Sequence, residues 1–109
     1  MERVYNKLVR DKIPDIIKKN NEECIITTLN EEEYKKALED KLVEELNEVL
    51  ESNGTSRIEE LADMIEVITS LAKLEGKTLN DVIEASSKKK EKRGGFDNKI
   101  FLLKVTTKE

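Results

Sequence analysis

Residues 41–63 read KLVEELNEVLESNGTSRIEELAD. Two acidic pairs stand in this stretch at helical spacing, Glu45 with Glu48 and Glu60 with Asp63, and Asn53-Gly54 between them has the composition of a turn. Residues three apart lie on one face of a helix, so each pair points two carboxylates the same way. Two helices running antiparallel through the turn would bring all four together. Four uncompensated negative charges are costly to cluster, and an all-oxygen donor set suits a hard divalent cation, magnesium or manganese. In a chain with 40% charged residues a single acidic pair is more often a solvated face. Two pairs facing each other across one turn favour a site, and the expected metal ligands are Glu45, Glu48, Glu60 and Asp63.

Helical geometry ranks the acids. At about 100° per residue, the first helix has an apolar stripe of Leu38, Leu42, Leu46, Val49 and Leu50. Glu45 falls about 70° from the axis of that stripe, Glu48 about 130° on the same side, and Glu44 nearly opposite. Glu45 and Glu48 are therefore expected as ligands, with Glu44 mainly solvated; Lys41, four residues before Glu45, is a possible partner for it. On the second helix Leu61, Ile65, Ile68 and Ala72 form a stripe, with Glu60 on one flank, Asp63 further round and Val67 between them. An apolar residue on the acids' own side implies a site sunk into a helix bundle.

Outward from this centre, helix signals continue. Asn30 with Glu33, Ser56 with Glu59 and Thr78 with Asp81 have the spacing of capping boxes. Asn53-Gly54, Gly76 and Gly94-Gly95 stand where helices would end. Pro14 fits the first turn of a short helix reaching about Asn20. Residues 23–29, ECIITTL, and 99–106, KIFLLKVT, are rich in β-branched and other apolar side chains and read as short peripheral strands, pairing with each other or with a neighbouring subunit. The fold class expected is mainly α: one domain over residues 1–109, a helical bundle of three long or medium helices. Leu61, Met64, Ile65, Val67, Ile68, Leu71 and Ala72 make the second acidic helix apolar on more than one face, which predicts a homo-oligomer, dimer or tetramer, with this helix in the interface.

The sequence Glu44-Glu45-Leu-Asn-Glu48 followed by Glu60-Leu-Ala-Asp63 resembles the EExxE and ExxD signature of the all-α nucleoside triphosphate pyrophosphohydrolases. That superfamily includes MazG-like proteins, dimeric dUTPases and phosphoribosyl-ATP pyrophosphohydrolases. Tyr5-Asn-Lys-Leu-Val-Arg-Asp-Lys-Ile-Pro14 and Arg93-Gly-Gly-Phe96 look like a MazG-like subgroup described as phosphoribosyl-ATP pyrophosphohydrolase-like, so the resemblance spans nearly the whole chain. It implies magnesium-dependent hydrolysis of a nucleotide between its α and β phosphates, giving a monophosphate and pyrophosphate. Phosphoribosyl-ATP is an alternative substrate to ordinary or damaged nucleoside triphosphates.

The same resemblance would bring Arg10 and Lys12 to a substrate phosphate, although surface pairing with Asp11 or Asp15 explains them equally well. Lys88, Lys92 and Arg93, beside the Gly94-Gly95 pair, either close over nucleotide phosphates or simply complement the negative end of the last helix. Phe96 either covers a base or packs in the core. Two further classes stay open: a nucleotide and metal sensor without turnover, and a helical interaction module whose acidic face docks on a basic partner.

Composition narrows the chemistry. The chain has no histidine, which removes a histidine general base and a His-based zinc site. Its single cysteine, Cys24, cannot form an internal disulfide. A formal charge of −4 argues against nucleic-acid polymers held through a broad basic surface. No apolar run approaches the roughly 20 residues that span a membrane, and no signal-peptide pattern opens the chain, so a cytoplasmic location is expected.

Overall fold

In the computed structural model, which describes residues 1–108, the chain forms four helices. They are α1 (Ile13–Lys19), α2 (Glu31–Glu51), α3 (Gly54–Leu74) and α4 (Leu79–Arg93). Helix α2 packs along α3, and α4 touches α3 more sparsely. No helix is long and apolar enough to cross a membrane among the described residues.

The helix ends follow local chemistry. Asn30 accepts a hydrogen bond from the Glu33 amide while the Glu33 side chain accepts from the Asn30 amide, a complete capping box at the start of α2. Thr78 and Asp81 make the same reciprocal pair on α4. Pro14 sits in the first turn of α1, where its missing N–H is not needed. The expected Ser56 cap is not used: the N-cap of α3 is Asn53, three residues earlier, and it makes no side-chain bond. Gly54 turns there at φ +56°, a left-handed value that costs glycine little, so the chain reverses between two long helices without a longer loop.

Helices α2 and α3 meet through their acid-bearing faces. Leu38 and Val67 are buried at this junction, and Glu45 lies about 20° from Leu38 around the α2 axis. By contrast Val43, Leu46 and Leu50 on α2, and Ile58, Leu61 and Ile65 on α3, stay exposed. The apolar stripes expected to define the core are thus each split in two. One half packs within the chain and the other faces outward.

The two expected strands do not form. Among the described residues no backbone hydrogen bond joins 23–29 or 99–106 to a partner strand, and Ile25, Ile26, Ile100, Phe101, Leu102, Leu103 and Val105 remain exposed. β-Branched side chains favour an extended backbone, but a strand needs a second backbone to satisfy its ladder, and neither segment meets one. Phe96 is likewise almost fully exposed rather than in the core.

Candidate metal centre

Three of the four expected ligands converge. Glu45 from α2 and Glu60 and Asp63 from α3 each offer a carboxylate oxygen within 4.8 Å of the others. Glu60 and Asp63 share a face because they stand three apart on one helix, and the antiparallel return through Gly54 sets Glu45 opposite them. Glu45 is 6% exposed, and its Oε2 is buried without a hydrogen-bond partner. A buried, unsatisfied acceptor costs on the order of 1–3 kcal/mol, and more when charged. Glu48 lies outside this group and is exposed, one turn along α2 from the buried face, yet close enough for its charge to oppose ionisation of Glu60.

The electrostatics record the crowding. Glu60 has its carboxyl held above the ordinary glutamate value by desolvation first, then by the charges of Glu48, Asp63 and Glu45, and last by a hydrogen bond shared with the Glu45 carboxyl, whose Oε2 is nonetheless without a partner. Glu44 behaves in the opposite sense. Desolvation pushes it up, but the hydrogen bond and charge of Lys41, with those of Lys7, outweigh that and hold it below the ordinary value. Glu44 is therefore not mainly solvated, as its angle on the helix implied. It is half-buried between Lys41 Nζ at 3.2 Å and Lys7 Nζ at 3.4 Å. The α2 stripe axis is drawn toward Leu46 and Leu50, which face outward, so angles measured from it misplace the true interior.

Cations partly offset the carboxylates. Lys41 Nζ also stands 3.7 Å from Glu45 Oε1, the pairing its four-residue spacing allows. Arg10 arrives from the other end of the sequence and donates from Nη2 to Asp63 Oδ1 at 2.8 Å. That contact spans 53 residues, and no local spacing announces it. Lys12 lies at the N-cap of α1 and makes no ion pair among the described residues. Lys88, Lys92 and Arg93 are exposed at the end of α4, also without an ion-pair partner among the described residues. Among the described residues no ion pair draws them to the acidic cluster.

Glu45, Glu60 and Asp63 form an acidic group that could hold a metal ion. The donors are all carboxylate oxygens, they come from two rigid helices, and one buried oxygen lacks any partner. In comparisons of the chain with known proteins, no family model, no curated protein and no solved structure matches it.

Proposed function

We propose that the chain is a magnesium- or manganese-dependent nucleotide pyrophosphohydrolase, cleaving a nucleoside triphosphate or related nucleotide between the α and β phosphates. The single observation behind the cation site is the unpartnered, buried Oε2 of Glu45 in a carboxylate group completed by Glu60 and Asp63. The reaction type rests on the resemblance of the Glu44–Glu48 and Glu60–Asp63 motifs to the all-α pyrophosphohydrolases, and phosphoribosyl-ATP is the alternative substrate within it.

Glu45, Glu60 and Asp63 would hold the cation, with Glu48 at the exposed rim. When bound, the cation supplies positive charge that offsets repulsion between the phosphates and the protein's own carboxylates. The chain has no histidine, so a carboxylate of this set or a lysine is left among its side chains to take the proton from the attacking water. Arg10, Lys12, Lys88, Lys92 and Arg93 are the cations assigned to phosphate oxygens, an assignment that suits arginine's paired donors and lysine's point charge.

The active form is a homo-oligomer. Among the described residues a single chain buries only three apolar ones, Leu38, Val67 and Ala72, while Leu46, Leu50, Leu61 and Ile65 remain open to solvent. Its radius of gyration is 19.1 Å, against about 13 Å for a compact chain of this length. Pairing the outward faces of α2 and α3 with those of a second copy would supply the missing core. A monomer in sedimentation at micromolar concentration would contradict this assembly.

A metal-free reading draws on one observation, the pairing of Arg10 with Asp63 and of Lys41 with Glu45. Those cations lessen the negative charge but leave Glu45 Oε2 bare. The test is pyrophosphate release from a panel of ordinary, deoxy and oxidised nucleoside triphosphates and phosphoribosyl-ATP, with magnesium, manganese or a chelator. Cation-dependent release that Glu45→Gln abolishes supports the proposal. No release from any substrate, with no cation effect on thermal stability, returns the chain to an interaction module.

A further inference from the structure

Residues 7–10 cross the acidic junction from outside. Lys7 Nζ is 3.4 Å from Glu44 Oε1 on α2, and three residues later Arg10 Nη2 is 2.8 Å from Asp63 Oδ1 on α3. The two ties differ in what they occupy. Glu44 lies outside the three-carboxylate group, whereas Asp63 belongs to it. Arg10 therefore holds an oxygen-bearing group that the cation site requires, while Lys7 does not.

The Arg10 pair is built to be given up. The Arg10 and Asp63 side chains are 56% and 43% exposed, so water and salt screen their attraction, and an exposed pair of this kind contributes little. The backbone at Arg10 is tied separately, its carbonyl accepting from the Ile13 amide at 3.1 Å as α1 begins. The guanidinium can swing away without unfolding anything. While it remains, it serves only the outer part of the cluster, and Glu45 Oε2 stays buried without a partner.

We propose that Arg10 is a tethered placeholder for the divalent cation: guanidinium and cation compete for Asp63, and cation entry releases the Arg10 side chain while Lys7 stays on Glu44. This rests on the cation-site reading above. A dication among Glu45, Glu60 and Asp63 engages the residue that carries the bare oxygen as well as Asp63, which a guanidinium paired with Asp63 alone does not. Once Asp63 is engaged, a guanidinium beside it meets like charge instead of an uncompensated carboxylate. Without cation, Arg10 limits the carboxylate repulsion; with it, the guanidinium is free for an anionic group.

The experiment is calorimetric titration of the full chain with Mn2+ at fixed salt, comparing wild type, Arg10→Gln, Arg10→Lys and Lys7→Gln. Side-chain NMR of the Arg10 guanidinium, assigned by its loss in Arg10→Gln, is followed as Mg2+ is added. Competition predicts about two- to fivefold tighter Mn2+ binding in Arg10→Gln, the range set by the worth of an exposed pair. Arg10→Lys stays within about twofold of wild type, since it keeps a competing charge. Lys7→Gln, an equal change in charge, moves the affinity less than Arg10→Gln. The Arg10 signal passes from hindered to free rotation as Mg2+ saturates. Equal or weaker binding by Arg10→Gln, or an Arg10 signal indifferent to Mg2+, overturns the placeholder while leaving the cation site standing. Binding by none of the four proteins overturns the cation site and the competition with it.

Discussion

The acidic junction of α2 with α3 and the basic end of α4 are both dense in charge, yet the fold treats them differently. Lys88–Arg93 places five cations on the last turns of one helix, all exposed and none paired among the described residues. Glu45, Glu60 and Asp63 come from two helices that face each other, and packing buries the first of them. One helix can only spread its charges into water, where they complement its own dipole. Two opposed helices can enclose a group and withhold water from it. Of these two regions, the acidic junction alone has a second wall among the described residues.

The largest expected effect lies at that wall. Glu45→Gln should abolish cation-dependent pyrophosphate release and, in chelator, raise the melting temperature, because it relieves the crowding of three carboxylates within 4.8 Å of one another. A calorimetric scan with and without Mn2+ reads both, and a cation-induced rise that survives in Glu45→Gln would break the contrast. Next in size is Leu38→Ala, at 2% exposure the most buried apolar residue. Urea unfolding should show a loss of about 2–5 kcal/mol. Leu50→Ala on the outward face should cost the single chain little and instead weaken self-association, measured by sedimentation.

A pH series sharpens the electrostatic side. The folded-state pKa of Glu60 lies above its ordinary value of 4.5, so the native state binds the proton more tightly than the unfolded chain. Stability from this group is full below that ordinary value and declines as pH rises through the raised one. Glu44 works in reverse, adding stability above the ordinary glutamate value that is lost as pH falls through its lowered one. Glu60→Gln should flatten the decline on the alkaline side of 4.5, and Mn2+ should do the same in wild type. A melting-temperature profile with an unchanged slope in Glu60→Gln would remove the crowding argument. The smallest change is Lys92→Ala, expected to cost about 0.3–1 kcal/mol through the helix dipole and to leave Mn2+ affinity unaltered.

Much of this architecture can be read along the chain because it depends on neighbours. The Asn30–Glu33 and Thr78–Asp81 boxes, Pro14, Gly76 and the reach of Lys41 to Glu45 are all contacts within one turn, and they form as their spacing implies. Convergence of Glu45 with Glu60 and Asp63 follows from helical period plus a single turn. What escapes local reading depends on distant partners. Arg10 reaches Asp63 across the fold, and Glu44 gains Lys7 by the same approach of the N-terminal segment. Ser56 has the right spacing for a cap, but Gly54 starts the helix first. Residues 23–29 and 99–106 have strand composition, yet pairing is decided by whether another backbone arrives. The outward Leu46, Leu50, Leu61 and Ile65 lie on the same stripes as the buried positions, so helical angle alone does not locate the interior.

The most direct measurement of the central claim is a count of Mn2+ ions bound per chain, by equilibrium dialysis, in wild type, Glu45→Gln and a Lys88→Ala/Lys92→Ala double variant. Wild type should bind Mn2+ saturably, Glu45→Gln should lose that binding, and the double variant should bind as wild type does. Equal binding by wild type and Glu45→Gln, or none by wild type, would contradict the cation site.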